Sequence, residues 1–572
     1  MSSPSNGSNK KVIAFLLALA IIPIAACGWV NLSSYRTVKI VELWSLIING
    51  SPEGGIKIAD LNKDSHVEVV AVTLNGRIYV INGSTGEKIW SASTGFHIRS
   101  QPAIADMNKD GILDVVVLTT NGDLFVLSGD NGSLIWRYHI SLWQPHVIAA
   151  PTIYDVDNDG EYEIFTGGAG FFVALNSSGK EIWRISIDGD AYSFPAVGDI
   201  DNDGFVELVF GTTNKTLYVV SPYNGAVLWT VKINGKVRAS PSLADIDKDG
   251  YLDIVVGDLK GNAYLICGKN KSVVWNQTLR GFIDFPPVLA DFDGDGYLDI
   301  IFACSYYGSS TADWASLYCV RGKTRKILWI QSYYSTCCSR VIVGDTNRDG
   351  FLDVIVGSVS STVIWCFDGR SGRRIWTYNI NGYFESVGAT PAIGDINNDG
   401  DNEIIIGTSW KRIIALKVYG SLVSWGSLGN DLCNTNNIIF SDRDGDGVPN
   451  DLEESMGMNL DSPDSDGDSM PDGYEITFSL DPTNSSDATL DVDGDGLNNL
   501  QEFSLGTDPR AWDSDWDKVP DGWEISHGFN PLNPGINEVI TFYWYLIVLT
   551  VSIGIGLLLW RRKRRMRSLA DL

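Results

Sequence analysis

Short apolar runs, separated by turns rich in Asp, Asn, Gly and Ser, recur from residue 38 to about residue 420. The second unit shows the order of parts. Gln101-Pro102-Ala103-Ile104-Ala105 leads into an acidic loop, residues 113–118 are apolar, residues 122–127 alternate, and residues 132–136 end on an aromatic. Period-two and short continuous apolar runs bounded by turn residues predict four strands per unit, at a repeat of about 45 residues. Eight such units predict an all-β chain, a β-propeller of four-stranded blades, with eight blades favoured and seven plus a divergent unit as the alternative.

A tryptophan keeps the same period. Trp44, Trp90, Trp136, Trp183, Trp229, Trp275, Trp329 and Trp376 each stand 16 or 19 residues before an acidic loop. Gly-rich turns precede most of them, as in Ser84-Thr85-Gly86-Glu87-Lys88-Ile89-Trp90. Such regularity assigns these residues to outer strands that wedge between blades rather than to ligand contacts. One Trp strand, residues 38–46, precedes the first loop, while the last blade, ending near Leu416, lacks an outer strand. The leftover strand completes that blade and closes the ring, or the segment around Trp425 does.

The acidic loop reads Asp-x-(Asp/Asn)-x-Asp-Gly-x-x-(Asp/Glu). Its ligand positions are Asp60, Asn62, Asp64 and Glu68; Asp106, Asn108, Asp110 and Asp114; Asp155, Asp157, Asp159 and Glu163; Asp199, Asp201, Asp203 and Glu207; Asp245, Asp247, Asp249 and Asp253; Asp291, Asp293, Asp295 and Asp299; Asp345, Asn347, Asp349 and Asp353; Asp395, Asn397, Asp399 and Glu403. Alternate side-chain oxygens converge when the backbone curls, Gly supplies the left-handed turn, and the last carboxylate closes the cage from the start of the next strand. A single copy is an ordinary polar turn; eight are not. With no His or Cys at a ligand position, the donor set suits a hard cation, Ca²⁺ before Mg²⁺. The first copy is the weakest, because Ser65 stands in place of Gly.

These loops resemble the FG-GAP/VCBS calcium repeats of integrin alpha-subunit propellers, and the Gly-x-x-x-Trp turns are similar to the tryptophan-docking motif of quinoprotein (PQQ-like) propellers. Together the resemblances cover about residues 38–430 and imply a propeller; neither implies a reaction.

In a four-stranded meander the loops joining first to second strands lie on one face. Those joining second to third strands, and one blade to the next, lie on the other. The aromatic insertions all belong to the second set: Trp143 and His146, Tyr306, Tyr307 and Trp314, Tyr333 and Tyr334, and Tyr383 and Phe384. Aromatic loops are suited to recognition, so this face is the expected ligand surface, with plain surface variation as the bland alternative. His139 and His146 flank Trp143 without a third ligand and read as exposed loop residues rather than a transition-metal site.

Beyond Cys433 the composition shifts to Asp, Gly, Pro and Asn. Four 12-residue loops place oxygen ligands as an EF-hand loop does: Asp442, Asp444, Asp446, Asn450 and Glu453; Asp464, Asp466, Asp468, Asp472 and Glu475; Asp491, Asp493, Asp495, Asn499 and Glu502; Asp513, Asp515, Asp517, Asp521 and Glu524. Ser469 and Lys518 depart from Gly at position six. The segment 440–530 is similar to thrombospondin type 3 repeats, which implies a spacer stiffened by calcium.

Charge and the chain ends fix the expected location. The net charge is −27 while both ends are basic, so the body is acidic enough to repel nucleic acid and attract divalent cations. Residues 1–30 read as a signal peptide or signal anchor; Ile24-Ala25-Ala26-Cys27 resembles a bacterial lipobox, with an incidental Cys as the simpler reading. Residues 540–560 carry no charge and match the length of a transmembrane helix, and the basic tail 561–572 places the C-terminus in the cytoplasm. The expectation is a single-pass membrane protein with an extracellular propeller and stalk, which binds a protein or glycan and is not an enzyme. Among eight cysteines, adjacent Cys337 and Cys338 keep a rival open, because a vicinal disulfide is a feature of quinoprotein alcohol dehydrogenases. A quinoprotein oxidoreductase, or a polysaccharide-active propeller enzyme, is the alternative function.

Overall fold

The computed structural model describes residues 38–531, apart from 65, 141–148, 158, 307–313, 336–339, 348–350, 359, 381–385, 388–389, 400, 420–447, 449–452, 454–455, 461, 479 and 515–517. By contacts the chain divides into Val38–Ser485 and a second unit containing Ser486–Leu572.

Eight antiparallel sheets make an eight-bladed β-propeller. Blade 1 is built from Gly55–Ala59, Glu68–Val72, Arg77–Asn82 and Lys88–Ser93, hydrogen-bonded in chain order. Blades 2 to 8 begin at Ala103, Thr152, Ala196, Ser242, Val288, Ile342 and Ala392. Two blades depart from four plain strands. In blade 3 a single run, Glu163–Leu175, spans the second and third positions with Gly170 at φ +77, and in blade 6 the short strand Phe282–Ile283 adds a fifth.

Burial explains the sequence pattern. Second strands are covered on both faces by the neighbouring blades, so Glu68–Val72, Asp114–Leu118 and Asp253–Gly257 are buried at every position and read as continuous apolar runs. Outer strands have one wet face: Lys88–Ser93 alternates, with Trp90 buried between Lys88, Ile89 and Ser91 exposed. The alternation at 122–127 predicts a half-exposed third strand, yet Asp123–Leu127 is buried throughout. Asp123 tolerates this because Arg137 Nη2 (2.6 Å) and His139 Nδ1 (2.8 Å) pair with its two carboxylate oxygens.

The tryptophans stitch blade to blade. Trp44, Trp90, Trp136, Trp183 and Trp329 donate Nε1–H to the carbonyls of Gly83, Gly129, Ser177, Pro222 and Gly369, each in the turn before the outer strand of the following blade. A Cβ on Gly86 would lie 2.6 Å from the Trp44 ring, so this turn needs glycine for close approach as well as for its φ of +72.

Closure comes from the N-terminal side. Lys39–Ile47 pairs antiparallel with Arg412–Tyr419, from Lys39↔Tyr419 to Ile47↔Arg412, and supplies the outer strand of blade 8. The segment around Trp425 lies outside the described residues. Because that outer strand comes from the other end of the chain, blade 8 has no third-to-fourth turn. Trp376 therefore bonds Thr346 Oγ1 of its own blade, at 3.0 Å.

The second unit holds two short helices, Asn499–Leu505 and Asp521–His527, and a 3-10 turn, Asp487–Thr489. A capping box between Asn498 and Gln501 starts the first helix, and Gly506 at φ 76 ends it. Among the described residues no helix is long and apolar enough to cross a membrane. Runs 1–30 and 540–560, with the tail 561–572, lie outside the described residues.

Candidate functional site

Every blade places its acidic loop between the first and second strands, with the closing carboxylate as the first residue of the second strand. Register fixes it there: Glu68 faces Ala59, Asp114 faces Ala105, Glu163 faces Tyr154, Glu207 faces Gly198, Asp253 faces Ala244, Asp299 faces Ala290, Asp353 faces Gly344 and Glu403 faces Gly394. All eight closing carboxylates are buried.

The loop curls by hydrogen-bonding its own backbone. Asp106 accepts from the Asp110 and Gly111 amides (3.1 and 2.9 Å), and Asp110 accepts from Ile112 (2.9 Å). From the far side, Asp114 Oδ2 accepts from the Met107 amide (3.1 Å). Loop 1 repeats the pattern despite its Ser: Asp60 accepts from Asp64 (3.1 Å) and Glu68 from Leu61 (2.9 Å). Neighbouring loops touch, with the Leu113 amide donating to the Leu61 carbonyl at 2.8 Å. Ser65, Asp349 and Gly350 lie outside the described residues.

Backbone donors use only part of each carboxylate's capacity. Asp114 Oδ1, Asp201 Oδ1, Asp293 Oδ1 and Asp299 Oδ2 are buried without a hydrogen-bond partner. One oxygen from each of Asp155, Asp157 and Glu163 lies within 4.8 Å of the others, as do those of Asp199, Asp201 and Asp203, of Asp245, Asp247 and Asp249, and of Asp291, Asp293 and Asp295. Burial, with the neighbouring aspartates adding to it, pushes Asp114, Glu163, Glu207 and Asp253 up to about 7 and Asp299 and Glu403 up to about 8. Clustered loop oxygens, half-buried or exposed, backed by a buried closing carboxylate, can hold a divalent ion. Asp299→Asn is therefore expected to stabilise the metal-free blade by about 1–3 kcal/mol, the cost of a poorly satisfied buried group, while shrinking the melting-temperature gain on adding calcium. Thermal denaturation with and without chelator measures both.

The later loops follow a second geometry. Position nine opens a helix and position twelve lies in its first turn: Asp472 and Glu475, Asn499 and Glu502, Asp521 and Glu524, all buried. Asp464, Asp466 and Asp468 bring oxygens within 4.8 Å of one another. Ser469 and Lys518 adopt φ of 79 and 73, so position six keeps its left-handed turn without glycine. Glu502 is fully buried with neither oxygen hydrogen-bonded. Burial and the charges of Asp493, Asp495, Asp521 and Asp508 push it up to about 9. Asp495 Oδ2 also accepts from the Gly522 amide at 2.8 Å, which ties the third loop to the fourth. Asp442, Asp444, Asp446, Asn450, Asp515 and Asp517 lie outside the described residues; Glu453 is buried.

The aromatic set is only partly brought together. Tyr306 is 40% exposed at the end of its strand, with Arg280 5.7 Å above its ring. Tyr333 is a core residue: its strand, Ile327–Tyr334, carries it between Trp365 (4.9 Å) and Phe367 (6.1 Å). Trp314 and Tyr334 fall on strands whose side chains there are not described, and Trp143, His146, Tyr307, Tyr383 and Phe384 lie outside the described residues, as do Cys337 and Cys338. Cys267, Cys319 and Cys366 are buried free thiols, and Cys304 is buried. Sequence reasoning missed Lys417, a basic residue among the blade 8 carboxylates, 3.0 Å from Asp401. Its signal was a lone Lys late in an apolar third strand.

Comparison with known proteins agrees with this architecture. The family profile described as outer membrane protein assembly factor BamB matches residues 142–378, and the FG-GAP-like repeat matches residues 60–117 and 106–166. The chain thus carries FG-GAP-like repeats on a PQQ/BamB-like β-propeller. Among solved structures, Sqt1 of Saccharomyces cerevisiae is similar at 10% identity over 66% of this chain and 98% of that one, with a TM-score of 0.50. A europium-containing methanol dehydrogenase is similar at 10% identity over 66% and 93%, also at 0.50. BamB from Moraxella catarrhalis shares 15% identity over 67% and 98%, at 0.47. These likenesses concern the fold alone. No curated protein matches the chain.

Proposed function

We propose that this protein is a cell-surface, calcium-binding propeller that recognises an extracellular protein or glycan and performs no catalysis. The observation that carries the reading is the acidic loop, repeated in one register at the same strand junction of all eight blades, with the FG-GAP match over the first of them. Calcium suits the donors, because carboxylate and amide oxygens on a curled loop give a hard cation many ligands. In this reading the ions brace one face, and the ligand binds among the loops of the opposite face, where Tyr306 stands exposed. The later loops act as a calcium-stiffened spacer of the thrombospondin type 3 kind, and residues 540–560 anchor the protein with its C-terminus in the cytoplasm.

Glycan and protein arrays probed with the calcium-loaded protein test this. Binding that disappears in chelator and returns with calcium is the expected outcome. Quinone absorbance in the purified protein, or dye reduction with an alcohol, would instead favour the oxidoreductase.

A further inference from the structure

Blade 8 fills its acidic loop differently from the others. Lys417 sits in register opposite the closing carboxylate Glu403, where blade 1 has Asn82 opposite Glu68. Its ammonium contacts Asp399, the third aspartate or asparagine ligand position of that loop, and lies 3.0 Å from Asp401. The side chain is 8% exposed, so this charge cannot swing into solvent as a surface lysine does.

The closing carboxylate and Asn397 are also served from within the loop. Glu403 accepts from the Ile396 amide (3.1 Å) on one oxygen and from Asn397 Nδ2 (3.3 Å) on the other, and Asn397 Oδ1 accepts from the Asp399 amide (3.0 Å). Compare Asp114 and Asp299 at the same position, each with one buried oxygen lacking a partner. Blade 6 shows a weaker version. Arg321, one place beyond the Ile300–Val320 pair, contacts Asp293, but its side chain is 35% exposed and Asp299 keeps its unpartnered oxygen.

The reason lies in the closure. Elsewhere the third strand ends at this register and turns back through Gly; in blade 8 it runs on to Tyr419, because the outer strand arrives from the other end of the chain. A strand in place of a turn has room for a long side chain lying inward along the loop. We infer that Lys417 takes the place of the metal ion in blade 8, so that the loop beside the ring's seam is neutralised by a covalently held cation and binds no calcium. An ammonium offers three donors, and a tethered one does not dissociate from the loop as a bound ion does. The seam of the ring then holds its loop whatever the calcium concentration.

This inference rests on the calcium reading of the other loops, and the test separates the two. Calcium bound per full-length chain is counted by equilibrium dialysis in wild type, Lys417→Gln, Asp399→Asn and Asp157→Asn. Lys417→Gln is expected to gain one ion, Asp399→Asn to leave the count unchanged, and Asp157→Asn, in blade 3, to lose one. A loss of one ion in Asp399→Asn, or no gain in a folded Lys417→Gln, overturns the inference; should the lysine variant not fold, the Asp399→Asn arm decides alone. If Asp157→Asn keeps the full count, the calcium reading of the other loops fails, while a gain in Lys417→Gln still supports the substitution.

Discussion

Chelating calcium from the full-length protein at neutral pH is expected to open residues 486–531 to proteolysis while residues 38–419 stay resistant. The difference follows from what each buries. Among its described residues the second unit buries few apolar side chains, chiefly Ala488, Leu497 and Val519, beside the polar groups of Asp487, Asn499, Glu502, Asp513, Asp521 and Glu524. At about 1.5–3 kcal/mol for a fully buried large aliphatic side chain, that core falls far short of the ~1–2 kcal/mol that ordering each residue's backbone costs. Ions bridging the carboxylates supply the difference, as metal supplies folding free energy in other small domains. The blades, by contrast, carry continuous apolar clusters from sheet to sheet.

The pH dependence should cross over. In chelator the folded-state pKa values stand above their unfolded values: Asp493 is pushed up to about 6, Asp521 to about 7 and Glu502 to about 9, burial being the first cause and neighbouring aspartates contributing. A carboxylate with a raised folded pKa costs nothing below its unfolded pKa, near 4, and destabilises progressively as pH rises through its folded value. The metal-free unit is therefore most resistant near pH 4–5 and loses resistance toward pH 9. With calcium the trend reverses, since ligands must be ionised to bind it. Limited proteolysis across that range, using a protease without a calcium requirement, reads both curves. Parallel curves, or equal resistance with and without chelator, would sink the account.

The period-45 pattern carried the architecture because it was written twice, in the acidic loops and in the tryptophans. Asp155 and Trp136 mark the same blade junction from opposite sides. Strand register was out of reach, and most of the differences trace to it. Tyr333 reads as a loop aromatic because two tyrosines stand before Ser335; its strand extends far enough to bury it against Trp365. Lys417 looks like a stray charge until pairing sets it against Glu403. His139, next to a Trp-rich stretch, belongs to Asp123 across a strand pair. Ser469 and Lys518 read as faults in an EF-hand-like loop, yet the local carboxylate bonds hold them left-handed, with Asp464 accepting from Ser469 and Asp513 from Lys518. A single sequence shows which residues are present at a junction, while the partner across a sheet is a tertiary fact.

Deleting residues 39–47 is expected to abolish cooperative folding of the whole propeller, although the segment is one strand of more than thirty. Two effects combine. First, the third strand Arg412–Tyr419 loses its antiparallel partner and presents a row of unpaired backbone groups above buried Ile413, Ile414, Leu416 and Val418. Second, Trp44 leaves the turn of blade 1, where its Nε1–H reaches Gly83 O at 2.6 Å. The milder change Trp44→Ala keeps the pairing and removes the dock; because Trp44 is only partly buried, the cost is expected to fall below the ~3–5 kcal/mol of a core aromatic cut to Ala. A ring closed by a strand from the opposite end should also accept that strand when it is not attached. A peptide of residues 38–48 added to the truncated protein is expected to restore the thermal transition, since main-chain hydrogen bonds along an open edge are sufficient for strand addition. Binding should require the native order of residues, because Trp44, not pairing alone, seats the peptide against blade 1. Full cooperativity in the truncated protein without the peptide would show that the seam is closed by another segment.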